Sequence, residues 1–223
     1  MKRAVLFLHG RYAKADVAFY KRLATGGFLI AVDGGYRFFK MSGLTPDLLV
    51  GDFDSLRRIP KKISPQTTVI EAEMRKDATD AEMAVDYCLE NRFRQIDIVQ
   101  PFYGEADHYI GNVMLLRLIG RRDRKSNRTT KARLVNPREE IHYLRDSKLT
   151  IREGRGRVVS VIPLSNRVVY SCRGTDYPAR ELVLRPGATI GLRNTITAGR
   201  ARFAVEGEAL LVYQTPSQGQ TGG

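Results

Sequence analysis

The stretch LTPDLLVGDFDSLRR, residues 44–58, decides how the chain is read. Leu48, Leu49 and Val50 form a short apolar run between Pro46-Asp47 and Gly51. A run without polar alternation is the pattern of a strand buried on both faces of a parallel sheet. It leads straight into Gly51-Asp52-Phe53-Asp54-Ser55, so two carboxylates follow a buried strand. In an extended segment, residues two apart point to the same side. Asp52 and Asp54 then repel, and each raises the other's pKa unless a cation lies between them. A hard divalent ion such as Mg2+, bound through oxygen, resolves that conflict. The plain alternative is a polar turn opened by Ser55.

Working outward, the same texture repeats. Short apolar runs at 5–9, 28–32, 68–70, 96–100 and 133–135 alternate with helical patterns at 15–24, 36–42, 79–91 and 108–120. Such alternation predicts an α/β domain with a largely parallel sheet over residues 1–136. RRDRKSNRTT, at 121–130, has no apolar periodicity and reads as a mobile basic loop. From residue 137 the texture changes. KLTIREG, RVVSVIPLS, RVVYSCRG, ARELVLRPG, ATIGLRN and ARFAVEGEALLVYQ are β-rich segments broken by Gly, Pro or Asn. Residues 137–216 therefore read as an all-β, sandwich-like domain, and 217–223 as a disordered tail.

Strand ends carry the chemistry in an open α/β sheet, where ligands collect beyond the carboxyl ends. Asp33 follows the run 28–32, and Gly34 and Gly35 after it allow close approach; Asp33 can equally cap the next helix. Thr79-Asp80-Ala81-Glu82 has the capping-box pattern, which gives Asp80 a structural reason of its own. Yet Lys76, Asp77 and Asp80 also bracket a helix start whose free N–H groups suit a phosphate. The run 96–100 leads to Asp107 and His108, with Asn112 on the helix that follows. His108 reads as an orienting group, because metal-assisted phosphoryl transfer depends on positioning more than on a strong base. His9 and His142 show no partner in sequence and read as structural. Neither GxxxxGK[ST] nor GxGxxG occurs, so this is not a P-loop or a dinucleotide fingerprint.

The formal net charge of +13 asks for an anionic partner. No apolar run of 18 residues is present, so no membrane span is expected. MKRAVLFLHG reads as a first strand, since its apolar run is too short for an export signal. Two distant cysteines without a CxxC fit a reducing, cytoplasmic setting.

The order of these motifs resembles thiamine pyrophosphokinase: DGG at 33–35, GDFDS at 51–55, KDATDAE at 76–82, and Asp107-His108 with Asn112 downstream, followed by a β-rich half. The likeness spans nearly the whole chain, and GDFDS together with KD-x-TD gives it specificity. It implies Mg2+-dependent transfer of a diphosphoryl group from ATP to thiamine, giving thiamine diphosphate and AMP. It implies a homodimer whose active sites lie between subunits. By this resemblance Asp52, Asp54 and Asp80 are metal- and phosphate-positioning carboxylates. Asp33, Gly34, Lys76, Asp77 and Thr79 match nucleotide and substrate positions. Asp107, His108 and Asn112 belong to the same nucleotide-side set, and Asn194, beside Arg193, matches a thiamine-side position. The chain departs from the family pattern at Tyr36-Arg37-Phe38, at Glu105 where a cation is usual, and at Arg193 where a serine is usual. A diphosphokinase for another hydroxymethyl heterocycle, of pterin type, is the nearest alternative. A nucleic-acid-binding protein is the alternative from another class. Its basic stretch lacks interleaved aromatics, so no nucleic-acid partner is expected.

Overall fold

A computed structural model describes residues 2–53, 63–71, 78–101, 105–126 and 128–214. The chain divides into two compact units, Met1–Asn136 and Pro137–Gly223.

Among the described residues the first unit holds six strands: β1 (Arg3–Phe7), β2 (Phe28–Val32), β3 (Leu48–Gly51), β4 (Thr68–Glu71), β5 (Gln95–Val99) and β6 (Lys131–Val135). They pair in parallel in the order β6-β5-β1-β2-β3-β4. The central strands are buried along almost their whole length, as the apolar runs of β1, β2 and β3 require. Helices α1 (Val17–Ala24), α2 (Tyr36–Ser42), α3 (Asp80–Glu90) and α4 (Ala106–Lys125) connect them. On α2, Phe38 stacks on Phe7 of β1 at 4.4 Å between ring centres, and Phe39 meets the same ring edge-on at 5.1 Å. On α3, Ala81, Ala84, Val85 and Cys88 are buried, which is the face that the 3.6-residue period marks.

A charge sits inside this sheet. Asp97 of β5 is 0% exposed, and each oxygen accepts from an arginine Nε at 2.6 Å, Arg3 of β1 on one side and Arg133 of β6 on the other. Arg3 also donates to the Leu23 and Thr25 carbonyls, tying the sheet to the end of α1.

The basic stretch 121–130 is not a loop throughout. Helix α4 runs on to Lys125, with Arg122, Arg124 and Lys125 in its last turn, where cations favour the helix dipole. Asp123 is buried and anchors the return: it accepts from the Thr130 N–H and from Thr130 Oγ1, and its carbonyl accepts from Arg128 N–H at 2.9 Å. The helix pattern is hidden in sequence because the inward residue is a carboxylate.

The second unit holds β7 (Glu139–Arg152), β8 (Val158–Pro163), β9 (Val168–Arg173), β10 (Ala179–Leu184), β11 (Asn194–Thr195) and β12 (Arg200–Gln214), paired antiparallel throughout. β12 pairs with β7 along its length but changes its other partner midway, from β9 over Arg202–Glu206 to β8 over Ala209–Tyr213. The change falls at a bulge between Val205 and Glu208. There Gly207 takes φ 93° and gives its N–H to Asp146 Oδ1 at 2.8 Å. A bulge of this kind lets one strand serve two sheets and turn a corner between them. Leu144, Ile151, Val161, Tyr170, Phe203 and Leu211 are among the buried side chains of this unit. ATIGLRN contributes only the short β11; the rest of it runs through turns. β7, by contrast, begins at Glu139, well before KLTIREG. The tail 217–223 lies outside the described residues.

Candidate active site

The strand order of the first unit reverses between β1 and β5, and a cleft spans that switch point and the neighbouring strand ends. A cleft of about 1200 Å³ opens beyond the carboxyl ends of β1, β2, β3 and β5. Leu8 to Tyr12, Val32-Asp33, Asp52 and Gln100 line it from those four strands. Thr79 to Glu82 and parts of α4 complete the wall.

Three carboxylates converge inside. Asp33, Asp52 and Asp80 each bring one oxygen within 4.8 Å of the others. Each is placed by its local backbone. Asp33 stands at φ 44° at the start of a 3₁₀ turn, Asp33–Gly35, that feeds α2. Gly51, at φ 153°, makes room for it: a Cβ there would stand 3.1 Å from the Asp33 Cα and 3.2 Å from Asp80 Oδ2. Asp80 is the first residue of α3, whose N-cap Thr79 accepts the Glu82 N–H on Oγ1 at 3.2 Å. The capping box is therefore half formed, because the Glu82 carboxylate turns instead to Arg122 at 3.0 Å.

One oxygen of Asp33 lies 3.4 Å from His9 Nδ1. Among the described residues, its other oxygen is buried without a hydrogen-bond partner. An unsatisfied buried carboxylate oxygen facing two further carboxylates is unstable unless a cation compensates it. The donor set is all oxygen and is hard, so it fits Mg2+.

The other expected residues are placed as follows. Gly34 is buried in the 3₁₀ turn beside Asp33. Asn112 donates to Gln100 Oε1 at 2.6 Å, and both line the cleft. Asp107 and His108 are exposed at the start of α4; Asp107 Oδ1 accepts the His108 N–H at 2.8 Å, and His108 Nε2 lies 3.7 Å from Glu105. Glu105, Asp107 and His108 form a second, more exposed group at the cleft wall. Asp54, Lys76 and Asp77 fall outside the described residues, as does the Tyr103-Gly104 turn.

In the second unit, Asn194 spends its amide on the chain itself. Its Oδ1 accepts the Tyr177 N–H at 3.0 Å, and its Nδ2 donates to the Tyr177 carbonyl at 2.6 Å. Arg193, at φ 59°, is held by its own N–H on Ser160 Oγ at 3.0 Å.

His9, expected from sequence to be structural, instead lines the cleft beside Asp33, and Gly10 and Arg11 line it too without having been singled out. The rule that found Asp33 and Asp52, polar residues directly after a buried strand, applies equally to them. His142, by contrast, is a structural residue with partners: its ring stacks on Tyr213 at 5.7 Å, and Nε2 lies 3.3 Å from Glu140.

Fold and cleft together define an open parallel-sheet α/β protein whose site is a set of acidic strand ends. The family model for the thiamin pyrophosphokinase catalytic domain matches residues 19–127. The thiamine pyrophosphokinase of Bacillus subtilis (strain 168) is 31% identical over 195 residues, which covers 83% of this chain and 86% of that one. A crystal structure of thiamine pyrophosphokinase from Bacillus subtilis superposes with a TM-score of 0.78 at 28% identity, over 96% of this chain and all of the other. The Geobacillus thermodenitrificans structure gives 0.78 at 25% identity, over 98% and 99%. The yeast structure shares the fold, with a TM-score of 0.75 at 11% identity over 98% of this chain and 88% of the other. The chain belongs to the thiamine pyrophosphokinase family.

Proposed function

We propose that this chain transfers diphosphate from ATP to thiamine in a Mg2+-dependent reaction, as a homodimer in the cytoplasm. The thiamine hydroxyl oxygen bonds to the β-phosphorus of ATP, the bond from that phosphorus to the α–β bridging oxygen breaks, and AMP leaves with that oxygen. The hydroxyl proton passes to solvent or a nearby base. The observation that carries this reading is the convergence of Asp33, Asp52 and Asp80 beyond the carboxyl ends of β2 and β3, in a chain of this family.

Asp33, Asp52 and Asp80 would hold the ion, with Asp54 two residues beyond Asp52 in sequence. Bound there, Mg2+ supplies charge compensation for the phosphate chain. The start of α3 offers backbone N–H groups to phosphate oxygens beside those carboxylates. The Gln100–Asn112 pair holds a fixed polar wall on the α4 side. Asn194 acts from the second unit by fixing the main chain at Tyr177, a residue that is 73% exposed. Among the described residues no helix is long and apolar enough to cross a membrane. Both cysteines are free and buried, which fits a reducing compartment.

The deciding experiment incubates the protein with ATP, Mg2+ and a panel of thiamine, hydroxymethylpterin and pyridoxal, and weighs the products. AMP and thiamine diphosphate in equal amounts are expected. Diphosphorylation of the pterin with thiamine untouched would replace thiamine as the acceptor.

A further inference from the structure

The acidic cleft does not account for a chain that carries +13. Part of the surplus is concentrated on one face of the second unit. Along β7, Lys148, Thr150 and Arg152 alternate with the inward Leu149 and Ile151. Along β12, Arg200, Arg202 and Ala204 alternate with the buried Ala201, Phe203 and Val205; along β9, Ser171 and Arg173 flank the buried Cys172. The register sets Arg200 opposite Arg152, and Arg202 opposite both Thr150 and Arg173. Like charges directly opposite on neighbouring strands are destabilising, so this arrangement opposes folding rather than aiding it. None of Lys148, Arg152, Arg173, Arg200 and Arg202 has a carboxylate partner among the described residues. All five are exposed, and a depression of about 480 Å³ lies among Lys148, Thr150, Ser171, Arg173 and Arg202.

The geometry points to a second anion site on this sheet face, for a small polyphosphate group such as a nucleoside triphosphate or an inorganic polyphosphate. Guanidinium forks match phosphate oxygens two at a time, and the Thr150 and Ser171 hydroxyls add donors. Size favours a small ligand. From Lys148 to Arg152 is about 13 Å along the strand, and from β7 to β9 about 10 Å across. That is the footprint of a short phosphate chain with its substituent. The same face turns acidic or apolar beyond Ala204, with Glu206 on β12 opposite Val169 on β9, so an extended polyanion lying along the strands meets repulsion. No aromatic side chain stands on the basic part of the face, so base stacking of a single strand has no platform. This site lies wholly within the second unit and does not depend on the identity of the acceptor.

The test is calorimetric titration of the full chain with sodium tripolyphosphate in EDTA. Without metal, the three carboxylates of the cleft repel the anion, so binding under these conditions reports on the sheet face. One anion per chain is expected, weakened by added salt. The Arg173→Gln/Arg202→Gln variant should bind at least tenfold more weakly, with a melting temperature equal to or above that of the parent, since a like-charge pair is removed. Lys148→Gln/Arg152→Gln should also weaken binding, and it decides the matter if the first variant fails to fold. Unchanged affinity in a folded variant overturns the site, and so does binding that requires Mg2+. Preferential binding of a short DNA duplex or of anionic vesicles, with the same arginine dependence, overturns the small-ligand assignment.

Discussion

Gly35 lies so close to the end of β1 that a Cβ on it would stand 1.9 Å from the Phe7 carbonyl oxygen and 2.7 Å from its carbon. The obstacle is backbone, so it cannot rotate away. Gly35→Ala must push α2 off the sheet and disturb the Asp33 turn with it. A loss of about 3 kcal/mol or more in urea unfolding is expected, the upper range for overpacking. Gly111→Ala, at a helix position with nothing within 4 Å, is the control; it should stabilise by about 0.5–1 kcal/mol. Equal effects of the two substitutions would contradict the close approach.

Asp52→Asn should act in opposite directions on activity and on stability. Turnover should fall by roughly two to three powers of ten, as when a positioned electrostatic group is lost. In EDTA the same variant should melt at or above the parent's temperature, because one of three mutually repelling carboxylates has gone. A variant that melts lower in EDTA while keeping normal Mg2+-dependent turnover would remove Asp52 from the metal site.

Asn194→Ala deletes two hydrogen bonds to the Tyr177 main chain. The expected cost is about 1–3 kcal/mol, seen as a raised KM for thiamine. If each active site draws on two subunits, mixed dimers of Asp52→Asn and Asn194→Ala chains should regain part of the activity that each homodimer lacks. Mixed dimers no better than the average of the two parents would place each site within one subunit.

Cys88 sets an alkaline limit. Burial pushes its thiol from 9.0 to about 12. The folded state therefore holds this proton more tightly than the unfolded chain does. The stabilisation is complete below pH 9 and is lost as pH rises from 9 toward 12. Burial raises Tyr12 and Tyr20 in the same direction, starting nearer pH 10. Urea midpoints at pH 7.5, 9 and 10 should fall for the parent and fall less for Cys88→Ala. At pH 8 the native Cys88 should resist thiol reagents that label it in urea. Identical pH slopes for both proteins would exclude the thiol as the titrating group.

Much of this was legible in the sequence because it obeys local rules. β2, β3 and α2 fall where the apolar runs and the helical pattern at 36–42 put them, and Thr79 caps α3 as its spacing requires. Asp33 was read on the nucleotide side; that it joins Asp52 and Asp80 depends on the side-by-side pairing of β2 and β3, which periodicity does not encode. Asp97 shows the same limit. In sequence it is an acid in an apolar strand; its reason, Arg3 and Arg133 on the two flanking strands, exists only once the strand order is known. Likewise the last turn of α4, from Arg121 to Lys125, reads as loop in sequence because its inward anchor, Asp123, is polar.

The central place of β1 has a consequence for synthesis. β1 pairs with β2 on one edge and with β5 on the other, and Leu8 N–H closes on the Val99 carbonyl. A chain leaving the ribosome has its first two strands long before its fifth. At about 5–20 residues per second, the β5-facing edge of β1 stays bare for several seconds, with its backbone N–H and C=O groups unpaired. During that interval the nascent chain offers an open, apolar strand edge, the kind that recruits other chains or a chaperone. The order of translation thus makes the strand that ends up most protected the one exposed longest.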